Sequence, residues 1–261
     1  HSIIMGIESG KCTTCPSNIF IGEYAGKCNT CAYNVAIGMN ALQGSSTPSN
    51  NTGRLNVAVG TYAGQGVTSG GDNVLIGNRA GCILKSGGCN VYLGYNAGYS
   101  TNNGSGDYNI ALGNDAGYYI DSGLYNISLG RAAGYRITTG GNNTAIGNET
   151  LQALTTASGN QAIGSYSGFS ITTGGNNVLI GNDTGFAMTE TANTVIIGHG
   201  AGDAIDNTTA DGTVAIGSGS LGALTSGARN LAIGYQSLYQ ADVCDDSIAI
   251  GYQALGGTDA G

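Results

Sequence analysis

Two closely spaced cysteine pairs near the start of the chain offer its clearest chemistry. Cys12 and Cys15 are followed, after twelve residues, by Cys28 and Cys31, which gives a C-x2-C…C-x2-C pattern. Four thiolates at this spacing hold structural zinc in many intracellular domains. Paired cysteines in a secreted repeat protein more often form disulfides. The pattern leaves three interpretations open: structural disulfides, which we favour, a four-cysteine zinc site, and free thiols.

Three further cysteines lie later in the chain. Cys82 and Cys89 bracket an outer loop of the repeat described below, and they join the structural disulfide candidates. Cys244 has no evident partner in the sequence, so it is left either free or linked to another subunit.

Hydroxyl and aromatic side chains indicate a different kind of chemistry, surface binding. Thr138, Thr155, Thr172 and Thr189 recur every 17 residues, and a regular threonine row on a flat surface could bind ice or glycans. The fifteen tyrosines could hold sugar rings by stacking. Turn formation and ordinary packing are the commoner explanations of both patterns. A glycan-binding or ice-binding module is therefore an alternative function.

Acidic residues and sequons are weaker signals. Two acidic clusters could bind Ca²⁺, but they lack the G-G-x-G-x-D repeat of calcium β-rolls and are interpreted as solvated loops. The clusters are Asp203, Asp206 and Asp211, and Asp242, Asp245 and Asp246. The N-x-S/T sequons that could accept glycans are at Asn50, Asn103, Asn126, Asn142, Asn148, Asn182 and Asn207.

Enzymatic chemistry has little support in the sequence. His1 and His199 are the only histidines, and no set of nucleophile, base and orienting residue stands out. A polysaccharide hydrolase of the tailspike kind needs only two carboxylates, and no pair is distinguished here. We expect no enzymatic activity, no cofactor and no metal, and the hydrolase is the least favoured alternative.

A repeat positions all of these residues. A glycine closes each aliphatic tripeptide, and nine of the fourteen spacings between successive marker glycines are 17 residues. The markers are Gly6, Gly22, Gly38, Gly60, Gly77, Gly94, Gly113, Gly130, Gly147, Gly164, Gly181, Gly198, Gly217, Gly234 and Gly251. A fixed period of this kind is typical of a solenoid. We predict an all-β fold, a parallel β-solenoid (β-roll or β-helix) of about fifteen 17-residue coils. It forms a single repeat array over residues 1–261, with loop insertions near 45–51, 100–106 and 203–211.

One column of the repeat is rich in asparagine. Four residues before the marker stand Asn18, Asn34, Asn56, Asn73, Asn90, Asn109, Asn126, Asn143, Asn160, Asn177 and Asn230. Stacked at one strand spacing, such amides can bond along the stack as a ladder. Asparagine also tolerates the left-handed geometry of turns, and both interpretations are structural.

The tripeptide is apolar in all three of its columns. The first and third residues share a strand face, and we interpret them as the inward core. The middle residue then points outward, and a strand that is apolar on both faces is usually covered on both. We therefore expect the outward column to be an oligomer face. Its candidate residues are Phe20, Ala36, Ala58, Leu75, Tyr92, Ala111, Ala145, Ala162, Leu179, Ile196, Ala215, Ala232 and Ala249.

Composition and charge narrow the classes of partner. Charged residues make up 9% of the chain and the net charge is −8, so no basic stripe exists to follow a phosphate backbone. No apolar run approaches the length of a membrane span. Joining Gly261 to His1 would place the next marker 16 residues after the last, within the repeat's range. We expect partners to be copies of this chain, as a trimer or a head-to-tail filament, with surface glycans as a further candidate, and neither nucleic acid binding nor membrane insertion.

Asn34–Ala41 reads N-V-A-I-G-M-N-A, and at these residues the sequence resembles the repeats of trimeric surface adhesins. Their YadA-like head domains carry N-x-A-x-G-x-x-(A/S) coils. The segment 137–147 is also similar to repeat regions of phage and algal-virus tail fibres. The resemblance spans essentially the whole chain. It implies a left-handed parallel β-roll, assembly as a trimer, and attachment to surfaces or cells. The expected function is a non-enzymatic structural and adhesive part of an extracellular fibre, on a cell surface, secreted or on a virion.

Overall fold

The fold follows from the repeat, because each aliphatic tripeptide forms one short strand and each marker glycine ends it. In a computed structural model of the chain, which describes residues 1–102, 104–206 and 210–257, contacts divide the chain into two compact units. The first is His1–Leu129 with Ile137–Thr139. The second is Gly130–Arg136 with the described part of Gly140–Gly261. Both are parallel β-solenoids, as the sequence predicts.

The first unit contains eight strands, each paired in parallel with the next. They are β1 (Ile3–Met5), β2 (Ile19–Ile21), β3 (Val35–Ile37), β4 (Val57–Val59), β5 (Val74–Ile76), β6 (Val91–Leu93), β7 (Ile110–Leu112) and β8 (Ile127–Leu129). A 3-10 helix at Pro48–Asn50 lies in the predicted insertion. The side-chain amide of Asn51 fastens that insertion by donating to the carbonyls of Cys28 (2.8 Å) and Ser45 (2.9 Å).

The second unit contains seven strands in the same parallel order. They are β9 (Thr144–Ile146), β10 (Gln161–Ile163), β11 (Val178–Ile180), β12 (Val195–Ile197), β13 (Val214–Ile216), β14 (Leu231–Ile233) and β15 (Ile248–Ile250). In both units the register places marker glycine against marker glycine. Gly60, for example, has φ +135°, and a Cβ there would lie 2.5 Å from the Gly77 carbonyl oxygen, so only glycine fits.

The interior of each turn is built from the middle residue of the strand, so the predicted direction of this column is wrong. The column assigned to an oligomer face is buried inside the solenoid, with exposures of 2% or less. Its members are Phe20, Ala36, Ala58, Leu75, Tyr92, Ala111, Ala145, Ala162, Leu179, Ile196, Ala215, Ala232 and Ala249. The physical reason is the period of two along a strand. The buried asparagine stands two residues before the middle residue and therefore shares its inward direction.

A large residue in the middle column is accompanied by glycine six residues later. Where the middle residue is large, as at Phe20 and Tyr92, the position six residues later is glycine. A Cβ on that glycine, Gly26 or Gly98, would strike the aromatic ring. Where the later position is leucine, as at Leu42, the middle residue is alanine. Alanine is followed by glycine in other turns, as at Ala58 and Gly64, so the combination that the sequence avoids is the overpacked one.

Candidate functional site

The outward face of each unit is a flat array of aliphatic side chains. It consists of the first and third residues of every strand, which point away from the interior. Of these thirty positions, only Thr144 and Gln161 are polar, and none is charged. Exposed members include Ile76 (38%) and Ile180 (39%). We call these the outward sheet faces; they are the surfaces that the predicted column directions missed.

Each outward sheet face is large enough to be a candidate interaction surface. With a strand spacing of ~4.8 Å and ~3.3 Å per residue, eight three-residue strands cover ~380 Å². The seven strands of the second unit cover ~330 Å² by the same calculation. The largest apolar patch on a typical monomer is ~300–600 Å² and is often functional. Each outward sheet face by itself is therefore as large as the largest apolar patch of an ordinary monomer.

The asparagine column forms a buried ladder in each unit. In the first unit, the Oδ1 atom of each asparagine accepts the backbone N–H of the next, at 2.8–3.1 Å from Asn18 through Asn126. In the second unit, Asn143, Asn160 and Asn177 continue the pattern, and Thr194 donates its hydroxyl to Asn177 Oδ1 (2.8 Å). Asn230 completes the set, accepting the N–H of Ser247 at 3.0 Å. The ladder links adjacent turns just before their strands begin.

All seven cysteines are free thiols in this structure, so the predicted disulfides stay a prediction. Cys12 and Cys28 lie at matching positions of adjacent turns, and Cys15 and Cys31 share the same 16-residue offset. Across the described residues no group of three or more His, Cys, Asp or Glu side chains is arranged to hold a metal ion. The geometry therefore gives no support to the four-cysteine zinc alternative.

The later cysteines have separate surroundings. The Cys82 thiol lies 3.7 Å from Gln65 Oε1, and burial raises the pKa of that thiol. Cys89 is exposed and sits beside the Tyr108 hydroxyl, whose pKa it helps to raise. Cys244 is half-buried, and burial raises its pKa also. These contacts do not bring Cys82 and Cys89 together.

Threonine hydroxyls of the predicted row donate hydrogen bonds to backbone carbonyls in the second unit. Thr155 donates its hydroxyl to the Thr172 carbonyl (3.2 Å), and Thr172 donates to the Thr189 carbonyl (3.1 Å). Thr189 in turn donates to the Asp206 carbonyl. The hydroxyl protons of Thr155, Thr172 and Thr189 are therefore engaged in hydrogen bonds between turns.

Aromatic side chains stack from turn to turn at the surface. Tyr108 and Tyr125 are 51% and 53% exposed, with ring centroids 5.0 Å apart and nearly parallel planes. Tyr235 and Tyr252 form a similar exposed pair at 5.5 Å. Paired exposed rings are suited to contact with sugar rings.

The sequons differ in accessibility. Asn126 is fully buried and belongs to the ladder, so its prediction as a glycosylation site is wrong for the folded chain. Asn50, Asn142 and Asn182 are exposed and Asn148 is half-buried. Asn103 and Asn207 lie outside the described residues.

The acidic clusters have local structural uses. Asp211 Oδ1 accepts the N–H of Ala192 (2.8 Å), and Asp245 Oδ1 accepts that of Ala228 (2.8 Å). Asp246 forms a paired hydrogen bond with the Arg229 guanidinium, at 2.6 and 2.8 Å. These contacts explain Asp211, Asp245 and Asp246 as loop anchors.

One open cleft of about 330 Å³ brings titratable groups together that the sequence did not single out. His199 Nε2 lies 4.0 Å from Asp183 Oδ2, and Asp203 lines the same cleft. Burial raises the pKa of Asp203. The contact between His199 and Asp183 is longer than a hydrogen bond, and the cleft holds no nucleophile positioned against a base.

Comparison of the chain with protein-family models, curated proteins and solved structures gives no match. Among the described residues, no helix has the length and apolar character needed to cross a membrane.

Proposed function

We propose that this chain is a non-enzymatic structural and adhesive component of an extracellular fibre, in which copies of the chain assemble through their outward sheet faces. The observation that carries the proposal is the continuous aliphatic character of those faces. Their only polar members are Thr144 and Gln161. Burying such a surface against a partner is favourable by roughly 25 cal/mol per Å² of apolar area, before the costs of association.

The period of the surface favours a second copy as its partner. Aliphatic side chains recur at one strand spacing, ~4.8 Å, along each face. A partner that fills the grooves between them at every turn needs the same spacing, and another copy of this solenoid has it. The assembly is a trimer or a filament, and its extracellular setting follows from the resemblance of the repeats to adhesins and tail fibres.

Assembly state tests the proposal directly. The full chain, of 26.0 kDa, would be measured by light scattering after size exclusion and by mass photometry, beside the double variant Ile76→Lys/Ile180→Lys. Both isoleucines are exposed on the outward sheet faces. The control Thr156→Lys/Thr173→Lys adds the same charge at exposed loop positions. Far-UV circular dichroism establishes that each variant keeps its β structure.

We expect the wild type and the threonine control to have a mass several times that of one chain, and the isoleucine variant to have the mass of a single chain. A folded isoleucine variant that assembles as the wild type does would contradict the proposal. So would a wild type that stays monomeric at high concentration.

Glycan binding is a second candidate, favoured by the exposed ring pair Tyr108 and Tyr125. Aromatic faces hold sugar rings by stacking. Binding of the wild type to a glycan array, lost in Tyr108→Ala/Tyr125→Ala and kept in Tyr33→Ala at another exposed tyrosine, would support it. An array without any bound glycan would reject it.

A further inference from the structure

The turns of β1 and β2 stack residue on residue with an offset of 16. Within the strands, Ile3 pairs with Ile19, and its N–H bonds to the carbonyl one residue before that partner, at 2.9 Å. The same pattern recurs in the outer part of the turn. Cys12 donates its N–H to the carbonyl of Lys27, at 2.8 Å. By this register Cys12 lies directly over Cys28.

The two thiols are close enough to interact. The pKa of the Cys28 thiol is raised, first by burial and then by the neighbouring Cys12 thiol. Residues in register on adjacent parallel turns have Cα atoms ~4.8 Å apart. A disulfide accepts Cα separations of ~4.4–6.8 Å. The backbone therefore need not move far for the two sulfur atoms to bond.

The pair is also open to solvent on one side. Both cysteines line a cleft of about 470 Å³, together with Lys11 and Lys27. Cys12 is half-buried, whereas Cys28 is only 7% exposed. A small reagent in the cleft thus meets Cys12 first. The ammonium groups of both lysines contact the carboxylate of Glu8.

We propose that Cys12 and Cys28 are a redox modification site that closes a disulfide across adjacent turns by exchange with a small-molecule disulfide such as oxidised glutathione. The Cys12 thiolate attacks one sulfur of the reagent, forming a mixed disulfide and releasing one thiolate. The Cys28 thiolate then attacks the Cys12 sulfur and releases the second. The two cysteines lose two protons and two electrons, and the reagent becomes two thiols.

The structure also provides an internal comparison. Cys15 and Cys31 have the same 16-residue offset, and Thr13 Oγ1 donates to the Asn29 carbonyl (2.9 Å) between the two turns. Both cysteines are half-buried. They could form a second bond across the turns, so the test must separate the two pairs.

Tryptic digestion separates the alternatives. Cleavage after Lys11, Lys27 and Arg54 gives peptides 12–27 and 28–54, each with one C-x2-C pair. A bond between Cys12 and Cys28 links the two peptides, whereas bonds within each C-x2-C pair leave them separate. The folded full chain would be incubated with oxidised glutathione, alkylated, digested without reductant and analysed by mass spectrometry. The variant Cys15→Ser/Cys31→Ser removes the second pair.

We expect the linked peptide in the wild type and in Cys15→Ser/Cys31→Ser, with the loss of two free thiols in the variant. Adding Cys28→Ser to that variant should abolish the link. If the double variant does not fold, the single variants Cys15→Ser and Cys31→Ser serve the same purpose, since each excludes the second bond. Separate, alkylated peptides from a folded variant would overturn the proposal. A link that appears only in dimers on a non-reducing gel would overturn it as well.

Discussion

Removing one rung of the asparagine ladder should destabilise the first unit strongly. Asn73 is fully buried, and its side-chain amide donates to Asn56 Oδ1 (2.9 Å) and to the Gly87 carbonyl (3.0 Å). Its Oδ1 accepts the backbone N–H of Asn90 (3.0 Å) and the side-chain amide of that residue (3.1 Å). Asn73→Ala deletes all four hydrogen bonds.

The magnitude follows from what the substitution leaves behind. Each lost hydrogen bond costs ~1 kcal/mol net, and a buried group left without a partner costs ~1–3 kcal/mol. The Asn90 N–H loses its acceptor and the Gly87 carbonyl loses this donor. We expect a loss of ~4 kcal/mol in the free energy of unfolding, a large part of the ~5–15 kcal/mol of a typical domain.

The chain offers a matched control in its own threonine rungs. Thr194 donates its hydroxyl to Asn177 Oδ1 (2.8 Å), and Thr213 Oγ1 accepts the N–H of Asn230 (3.4 Å). Asn73→Thr should therefore keep one donated and one accepted hydrogen bond, and its free energy of unfolding should fall by ~2 kcal/mol. Asn182→Ala, at an exposed position, should change stability by less than ~0.5 kcal/mol.

Urea unfolding followed by far-UV circular dichroism would rank the three variants, and hydrogen exchange would locate the effect. The Asn90 amide should exchange faster in Asn73→Ala, because its acceptor is gone. An Asn73→Ala variant as stable as Asn182→Ala, with a protected Asn90 amide, would refute the view that the ladder is a main stabilising element.

Two further predictions concern a buried hydroxyl and an acid-sensitive ion pair. Ser128 is fully buried, and its hydroxyl has no hydrogen-bond partner among the described residues. Ser128→Ala should therefore raise the free energy of unfolding, measured in urea, by ~1–2 kcal/mol. A lower free energy of unfolding would show that the hydroxyl is hydrogen-bonded in solution. Hydrogen bonds from two lysines lower the pKa of Glu8 from 4.5 to about 2. Because the pKa of Glu8 is lower in the folded chain than its ordinary value of 4.5, the ionised carboxylate stabilises the fold at pH values above 4.5. This contribution is lost as the pH falls from 4.5 towards about 2. The effect should be small and salt-sensitive at an exposed site. An NMR titration of the Glu8 carboxyl checks it, and an unshifted midpoint would contradict it.

The strands could be predicted from the sequence because their signals are local and repeated. Every three-residue strand lies immediately before a marker glycine, from Gly6 to Gly251. The glycine requirement comes from positive φ and close approach between turns, which any fold with this backbone would impose. Because the same signal recurs in every repeat, each strand assignment supports the others.

The directions of the strand faces could not be read from hydrophobicity, because both faces are apolar. The decisive signal was the asparagine column. An amide buried at Asn34 has the same parity as Ala36, so both point inward and Val35 points outward. The small size of the middle column, with alanine in eight of the fifteen strands, was a second signal for a thin interior.

The cysteine pairs show a different limit. The repeat places Cys12 and Cys28 in one column of adjacent turns, but the sequence does not decide which thiols bond with each other. In the structure, adjacent turns stack with an offset of 16, which puts Cys12 over Cys28. The register of stacking therefore decides which thiols can meet. The cleft of His199 and Asp183 depends on the same register and was not visible from the separation of these residues in the sequence.

The glycines that face the aromatic rings have a consequence for how such a chain can change over generations. In a turn that carries Phe20 or Tyr92, the glycine six residues later is fixed, because a Cβ there would strike the ring. A turn with alanine in the middle column accepts either residue, as Ala58 with Gly64 and Ala36 with Leu42 show. An aromatic residue can therefore be gained by a single point mutation only in a turn that already has this glycine. In lineages of this protein, the leucine should be lost before an aromatic residue is gained.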